Sequence, residues 1–396
     1  MEERPLIIVG SGPAGTGAAL RLAQLDPVLA GETLVLEKAR HPRHKVCAGG
    51  LIPHSLQLLE ALGVELTVPH VVCDRAAVLT PVRNVSYEGN DLCRVIRRNQ
   101  FDASLAAAAR RRGITIRESE KVIEVAREGA AIRLVTERGC YRTRAVIAAD
   151  GSGSLLRRRL VSAARGCVGR AIMGDIPIAD TDWNGFAAQR YEFNFTAVAR
   201  GLRGYTWAFP CWIDGVAHVN VGIYAVDTPG ARLTQLLDDA VDRMAGKRPK
   251  YEAFPIRWYH EREPLAGAGV MLAGDAAGVD PLMGEGISFA LEYGRRAAEA
   301  AAAALASGDF SFAAYERDIR SSWLGKKLRR LHLGVRLFYG PTWRVWFSVA
   351  AHSRRAQEIG LRWYNGVDGW DRRSGWDALR ALWSGDFAPP ARTVPA

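Results

Sequence analysis

The chain has 396 residues, 48% of them hydrophobic, and a formal net charge of +11. Such a length sets a prior of two or three domain-sized units, and such an apolar share excludes a disordered chain. A basic balance suits nucleic acid, an anionic membrane surface or an anionic cofactor; residues 321–396 hold 13 Lys/Arg against 5 Asp/Glu, so +8 of the excess lies at the carboxy end, and no nucleic-acid partner is expected.

The amino terminus is acidic and leads straight into Leu6-Ile7-Ile8-Val9, so no signal peptide is visible. That wholly apolar run reads as a parallel strand buried on both faces. Gly10, Gly12 and Gly15 follow in G-x-G-x-x-G spacing, and Ala14, Ala18, Leu22 and Leu25 then recur at helical spacing. A second apolar run, Thr33 to Leu36, ends in Glu37, 22 residues after Gly15. Strand, tight turn, helix, strand and acid make a βαβ unit that grips a dinucleotide. Gly10 permits the turn, Gly12 admits the pyrophosphate, and Gly15 lets the helix sit close to the strand. The helix start, with Pro13 and Ala14, offers unpaired N–H groups and a positive dipole end. Glu37 is placed to meet a ribose, and Lys38 beside it joins the candidate contacts.

Residues 38–56 are basic at first, then carry Cys47 and the pair Gly49-Gly50, with a helix predicted over 54–62. Arg43, His44 and Lys45 have two readings: a grip on a substrate diphosphate, or a solvated loop. Weak alternation predicts strands within 71–95. A helix opens at Arg97-Arg98-Asn99-Gln100-Phe101-Asp102 and runs to about Arg112. Strands follow at 114–116 and across 121–136, with a hairpin turn near Glu128-Gly129. Arg144 to Ala149 is another buried strand, ending in Asp150-Gly151. Residues 168–260 carry short alternating runs dense in aromatics, interrupted by a helix at 230–245, and read as an antiparallel sheet. Most of those aromatics are expected to be core.

Gly269 to Ala273 returns to a buried strand, followed by Gly274-Asp275. Gly284-Glu285-Gly286-Ile287 then opens a long Ala-rich helix whose first N–H groups lack intrahelical partners. Residues 310–364 read as helical, with seven of the 11 tryptophans beyond residue 320. Two readings stand for this end: a cap on the substrate domain, or an amphipathic face for an anionic membrane or partner. The tail from 384 is expected to be loose. Cysteines 47, 73, 93, 140, 167 and 211 contain no C-x-x-C pair, which excludes a disulfide framework or zinc site and suits a reducing cytoplasm. The eight histidines show no ligand spacing, so no metal is expected, and no run is long and apolar enough to predict a spanning helix.

Three stretches carry the chemistry: the βαβ unit, Ala149-Asp150-Gly151-Ser152-Gly153, and Ala273-Gly274-Asp275-Ala276-Ala277-Gly278. From residue 6 to about 305 they resemble the FAD fold of glutathione-reductase-type flavoproteins, in the branch with aromatic hydroxylases and geranylgeranyl reductases. The resemblance implies FAD, with Asp275 on its ribityl chain and Arg98, from R-x-x-F-D, by its phosphates. If the helix opening at Gly284, Gly286 and Ile287 faces the flavin N1–C2 edge, its dipole stabilises the anionic reduced flavin. Lys45-Val46-Cys47-Ala48-Gly49 is similar to the K-x-C-x-G segment of geranylgeranyl reductases, and Tyr205-Thr206-Trp207-Ala208-Phe209-Pro210 to their Y-x-W-x-F-P segment. Halogenases carry a related aromatic pattern. Five residues separate Gly278 from Gly284, one fewer than in the reductases, so substrate identity does not transfer.

The expected architecture is α/β: a Rossmann-like FAD-binding domain (1–70, 96–167 and 265–310), an inserted antiparallel-sheet substrate domain (71–95 and 168–264), and a C-terminal helical segment (311–396). The expected activity is reduction of carbon–carbon double bonds in an apolar or prenylated small molecule. NAD(P)H, lacking a second fingerprint, or another electron donor would bind transiently. Cys47 either supplies a proton or packs; Tyr205 and Trp207 line the apolar channel as candidate catalytic groups. One rival is an oxygen-activating flavin enzyme that hydroxylates or halogenates an aromatic substrate. The other is a non-catalytic protein of the Rab GDP-dissociation-inhibitor architecture. A cytoplasmic location, peripheral to a membrane under the second reading of the carboxy end, is expected.

Overall fold

A computed structural model describes residues 1–162, 166 and 168–365; the tail expected from residue 384 lies outside them. Leu6–Val9 forms the predicted strand, buried along its length. Ala145–Ala148 and Leu34–Leu36 flank it, both parallel, with Val9 opposite Ala148 on one side and Leu36 on the other. Val270–Leu272 and Thr115–Arg117 extend the sheet in parallel, and Ala266–Gly267 closes one edge antiparallel. These strands lack polar–apolar alternation because both of their faces are covered. Their parallel sense brings the carboxyl ends of four strands to one edge, where Gly10, Glu37, Asp150 and Gly274 leave the sheet. That edge is where doubly wound sheets take their ligands.

The helix Pro13–Leu25 begins with proline at a position whose N–H would be unpaired anyway. It crosses Ile287–Ser307 closely enough that a Cβ on Gly294 would lie 2.2 Å from the Ala14 carbonyl oxygen. The long helix starts at Ile287, three residues later than Gly284. The delay is conformational: Gly284 has a φ of +68°, which a right-handed helix does not admit.

The expected antiparallel sheet has eight strands and is antiparallel except at one pair, where Arg190–Asn194 runs parallel to His70–Leu79. Their order is Glu252–Arg257, Val168–Pro177, Val216–Val226, Gly204–Ile213, Arg190–Asn194, His70–Leu79, Val85–Ile96 and Gly50–Leu51. Two features were not anticipated. Gly50–Leu51 pairs as its edge strand, with Gly50 opposite Val95, and so ties the Cys47 loop to this sheet. Val122–Glu128, Ala131–Thr136 and Cys140–Thr143 join Glu2–Glu3 in a separate four-stranded sheet. The predicted hairpin is there, but its partner strand is too short to show periodicity.

The helical carboxy end resolves into Ala313–Ser321, Trp323–Phe338, Trp343–His352 and Arg354–Asn365. Ser322 and Ser353 are extended and interrupt the run. Among the described residues, no helix is long and apolar enough to cross a membrane.

Candidate functional site

The carboxyl edge of the parallel sheet opens into a cavity of about 790 Å³ that continues to the inner face of the antiparallel sheet. At the sheet edge, Gly10 turns with a φ of +100°, and the helix behind it begins at Gly12 with no side chain capping its N–H groups. Glu37 is 3% exposed, and one of its oxygens accepts from both the backbone N–H and the hydroxyl of Ser11 at 2.8 Å. Its other oxygen accepts from the Ala39 N–H at 3.0 Å, so the acid is fixed before any ribose arrives.

Cations surround the turn. Arg98 grips Asp102 through two bonds of 2.8 and 2.9 Å, and Arg43 reaches the same buried carboxylate at 3.0 Å. A Cβ on Gly12 would lie 3.5 Å from the Arg43 guanidinium, which places that charge against the phosphate turn. Arg43 is therefore a wall of the cavity and not a solvated loop residue. Lys45 lies over the Phe254 ring, 2.9 Å from its centroid. Burial pulls the Lys45 ammonium down to about 8, with Asp275 opposing and Arg98 reinforcing the shift.

The second and third glycine-bearing stretches meet here. The Ser152 hydroxyl donates to Asp275 Oδ2 at 3.0 Å. Asp150 Oδ2 accepts the Leu155 N–H at 2.8 Å, while its buried Oδ1 has no protein partner. An uncapped helix start, an orphaned carboxylate oxygen and a glycine-lined turn fit a dinucleotide whose ribose and phosphates need those groups. Gly10, Gly12, Pro13, Ala14, Glu37, Lys38, Lys45, Cys47, Arg98, Asp150, Gly151, Asp275, Gly284, Gly286 and Ile287 all line the cavity, as do Tyr205 and Trp207. Gly15 and Gly274, predicted as contacts, stand behind the wall: their Cβ positions would meet the Gly10 carbonyl oxygen at 1.8 Å and the Ala14 methyl at 2.9 Å. Both are there to permit close packing.

The aromatic wall comes from alternate residues of two neighbouring strands. Phe193, Tyr205, Trp207 and Phe209 face the cavity, with Phe193 5.3 Å from Tyr205 and 5.4 Å from Phe209 between ring centroids. Trp183 and Trp212 do not line it. The Trp207 Nε1–H donates to Asn220 at 2.8 Å, Asn220 donates to Asp175 at 2.7 Å, and Arg97 clamps Asp175 bidentately. Neither predicted catalytic aromatic therefore has a free polar end. The Tyr205 hydroxyl donates to the Met283 carbonyl, so each offers the cavity its ring.

That hydroxyl belongs to a clamp the sequence did not signal. Tyr224 donates to the Pro281 carbonyl and Tyr339 to that of Leu282, both at 2.8 Å, beside Tyr205 on Met283. Three consecutive carbonyls of the 281–283 loop are thus each held by the hydroxyl of a buried tyrosine. Its Asp280 carboxyl is 3% exposed and accepts the Leu282 N–H at 2.7 Å. Burial raises it from 3.8 to about 7. The folded state holds that proton between these two values while the unfolded chain releases it. This contribution to stability is full below the unfolded value and lost as pH rises through about 7. Asp280→Asn keeps the acceptor and removes the titration. Thermal melts should show a smaller loss of stability from weakly acidic to weakly basic pH in the variant; equal slopes would contradict this.

A model of the FAD-binding-domain family matches residues 3–318. The chain belongs to that family and is an FAD-dependent oxidoreductase. It is 30% identical over 364 residues to a digeranylgeranylglycerophospholipid reductase of Methanoculleus marisnigri, covering 82% of this chain and 84% of that one. Among solved structures, this flavoprotein is similar to a geranylgeranyl bacteriochlorophyll reductase-like protein of Thermoplasma acidophilum, with a TM-score of 0.75, 23% identity and 96% of each chain covered. It is also similar to the flavin-dependent brominase Bmp2, with a TM-score of 0.74, 20% identity, and 97% and 98% covered. At those identities the two structures speak for the fold alone.

Proposed function

We propose that this flavoprotein reduces carbon–carbon double bonds in an isoprenoid chain. The observation that carries the reading is the continuity of one cavity from the cationic glycine turn to the aromatic wall of Phe193, Tyr205, Trp207 and Phe209. Gly10, Gly12, Glu37, Arg43 and Arg98 would hold the adenosine and phosphates of FAD. Asp150, Asp275 and the backbone from Gly284 to Ile287 would hold its ribityl chain and ring. The bound FAD supplies hydride. The chain's own residues exclude water with aromatic faces, orient an apolar substrate, and offer a proton from Cys47, which lines the same cavity. The Cys47 sulfur accepts the Gly49 N–H at 3.4 Å, which fixes its direction. Hydride and proton together saturate one double bond, and the two electrons come from NAD(P)H or another transient donor. The reductase name of the Methanoculleus marisnigri relative supports this reading.

Contact with an anionic membrane belongs to the same proposal. Leu333 and Val345 are about half exposed, near exposed Lys326, Arg336 and Arg344. That combination suits a protein meeting a lipid substrate at a bilayer surface.

The test is anaerobic turnover of the photoreduced holoenzyme with geranylgeranyl-bearing lipids, read by product mass. A gain of two hydrogens per bond under argon is expected. No change under argon with a gain of oxygen in air would overturn the reading in favour of an oxygen-activating enzyme.

A further inference from the structure

On its sheet side the cavity is also lined by a residue far along the chain from the strands. Tyr364 lies on Arg354–Asn365 and lines the cavity beside Phe193 and Phe209. Its ring is stacked on Tyr191, with centroids 6.4 Å apart and planes 18° from parallel, and meets Phe193 edge-on at 6.1 Å. Tyr191 is only 1% exposed and Cys93 is fully buried, so the groups behind Tyr364 belong to the core. Burial lifts the Tyr364 phenol well above its ordinary value, in hydrogen-bonding contact with Tyr191. The packing around these groups is tight: a Cβ on Gly50 would lie 3.0 Å from the Phe209 ring and 3.4 Å from the Cys93 sulfur.

We infer that Tyr364 is the end stop of the apolar chamber and sets how long a hydrocarbon chain the flavoprotein accepts. The reading of the cavity as an isoprenoid site underlies this. The other lining aromatics sit on strands tied into the sheet by backbone bonds. Tyr364 instead arrives on a helix, Arg354–Asn365, where Gln357 donates to the Ala351 carbonyl at 3.0 Å and Arg354 pairs with Glu358. Chain length is thereby separable from the chemistry, because changing residue 364 moves the back of the chamber and leaves the cationic turn and the 278–287 loop alone.

The experiment titrates oxidised holoenzyme with geraniol, farnesol and geranylgeraniol and follows the flavin absorption. Truncation in Tyr364→Ala should tighten geranylgeraniol binding about tenfold, the gain from burying roughly two further methylenes. Geraniol should change by less than about twofold. Tyr364→Phe should match wild type because the ring still fills the end, and Tyr364→Leu should shift in the same direction as Ala while keeping apolar volume against the core. An equal change for all three alcohols, no change in either truncation, or no binding by any of them would overturn the end stop. Length-selective binding without anaerobic reduction would sink the proposed activity and leave the end stop standing. Reduction with no shift in length preference would do the reverse.

Discussion

Gly10→Ala should yield a folded protein that purifies without flavin. Gly10 has a φ of +100°, and an added Cβ would lie 2.3 Å from the Ala149 carbonyl oxygen and 2.8 Å from its carbon. Both contacts are backbone, so no side chain can swing aside. Ala149 in turn donates its N–H to Val9 at 2.9 Å, and Gly10 donates to Leu36 at 2.8 Å. The methyl therefore pushes two of the three strand ends that form the phosphate turn. Left-handed backbone and displacement together cost about 3 kcal/mol, or roughly a hundredfold in FAD affinity. Titration of flavin-free protein with FAD, with circular dichroism to establish that it is folded, measures this directly. Affinity within about threefold of wild type would contradict the turn's role.

Arg98→Ala should be the costliest loss of a single charge. Asp102 is fully buried and bonded bidentately by Arg98, with Arg43 at 3.0 Å as its second cation. Removing Arg98 leaves a buried carboxylate short of its main partner, and breaking such a pair costs about 3 kcal/mol or more. The double variant with Asp102→Asn removes the stranded charge and should recover much of that stability, although Arg43 then keeps only Glu37, at 3.7 Å. Denaturant unfolding of the flavin-free forms measures the cycle. A loss below about 1 kcal/mol, or no recovery in the double variant, would show that the pair is well solvated.

The parts legible in the sequence were those with a local signature. Leu6–Val9 is apolar throughout because it is buried on both faces, and the glycine spacing after it reflects contacts within a few residues. Asp150 and Asp275 were recognisable by the motifs around them, although only the fold brings Ser152 to Asp275. The tyrosine clamp had no such signature. Tyr205 reads as a channel-lining candidate and nothing in the sequence singles out Tyr224 or Tyr339, so the clamp shows only once each hydroxyl is seen on a carbonyl of the 281–283 loop. Gly50–Leu51 is too short to show strand periodicity, so the tie between the Cys47 loop and the large sheet was invisible. Arg43 and Tyr364 illustrate the same limit from the surface side. The basic loop left two readings open, and the helical end, a cap or an amphipathic face, pointed to no particular residue; only tertiary packing places Arg43 and Tyr364 in the wall of a cavity.

The central claim is that the three glycine-bearing stretches and the aromatic wall surround one flavin. A crystal structure of the protein reconstituted with FAD tests it most directly. The account predicts the phosphates at Gly12 beside Arg43 and Arg98, and the ring between the Gly284–Ile287 backbone and the rings of Tyr205 and Trp207. A flavin ring seated outside that chamber, or a cavity that stays empty at saturating FAD, would contradict it.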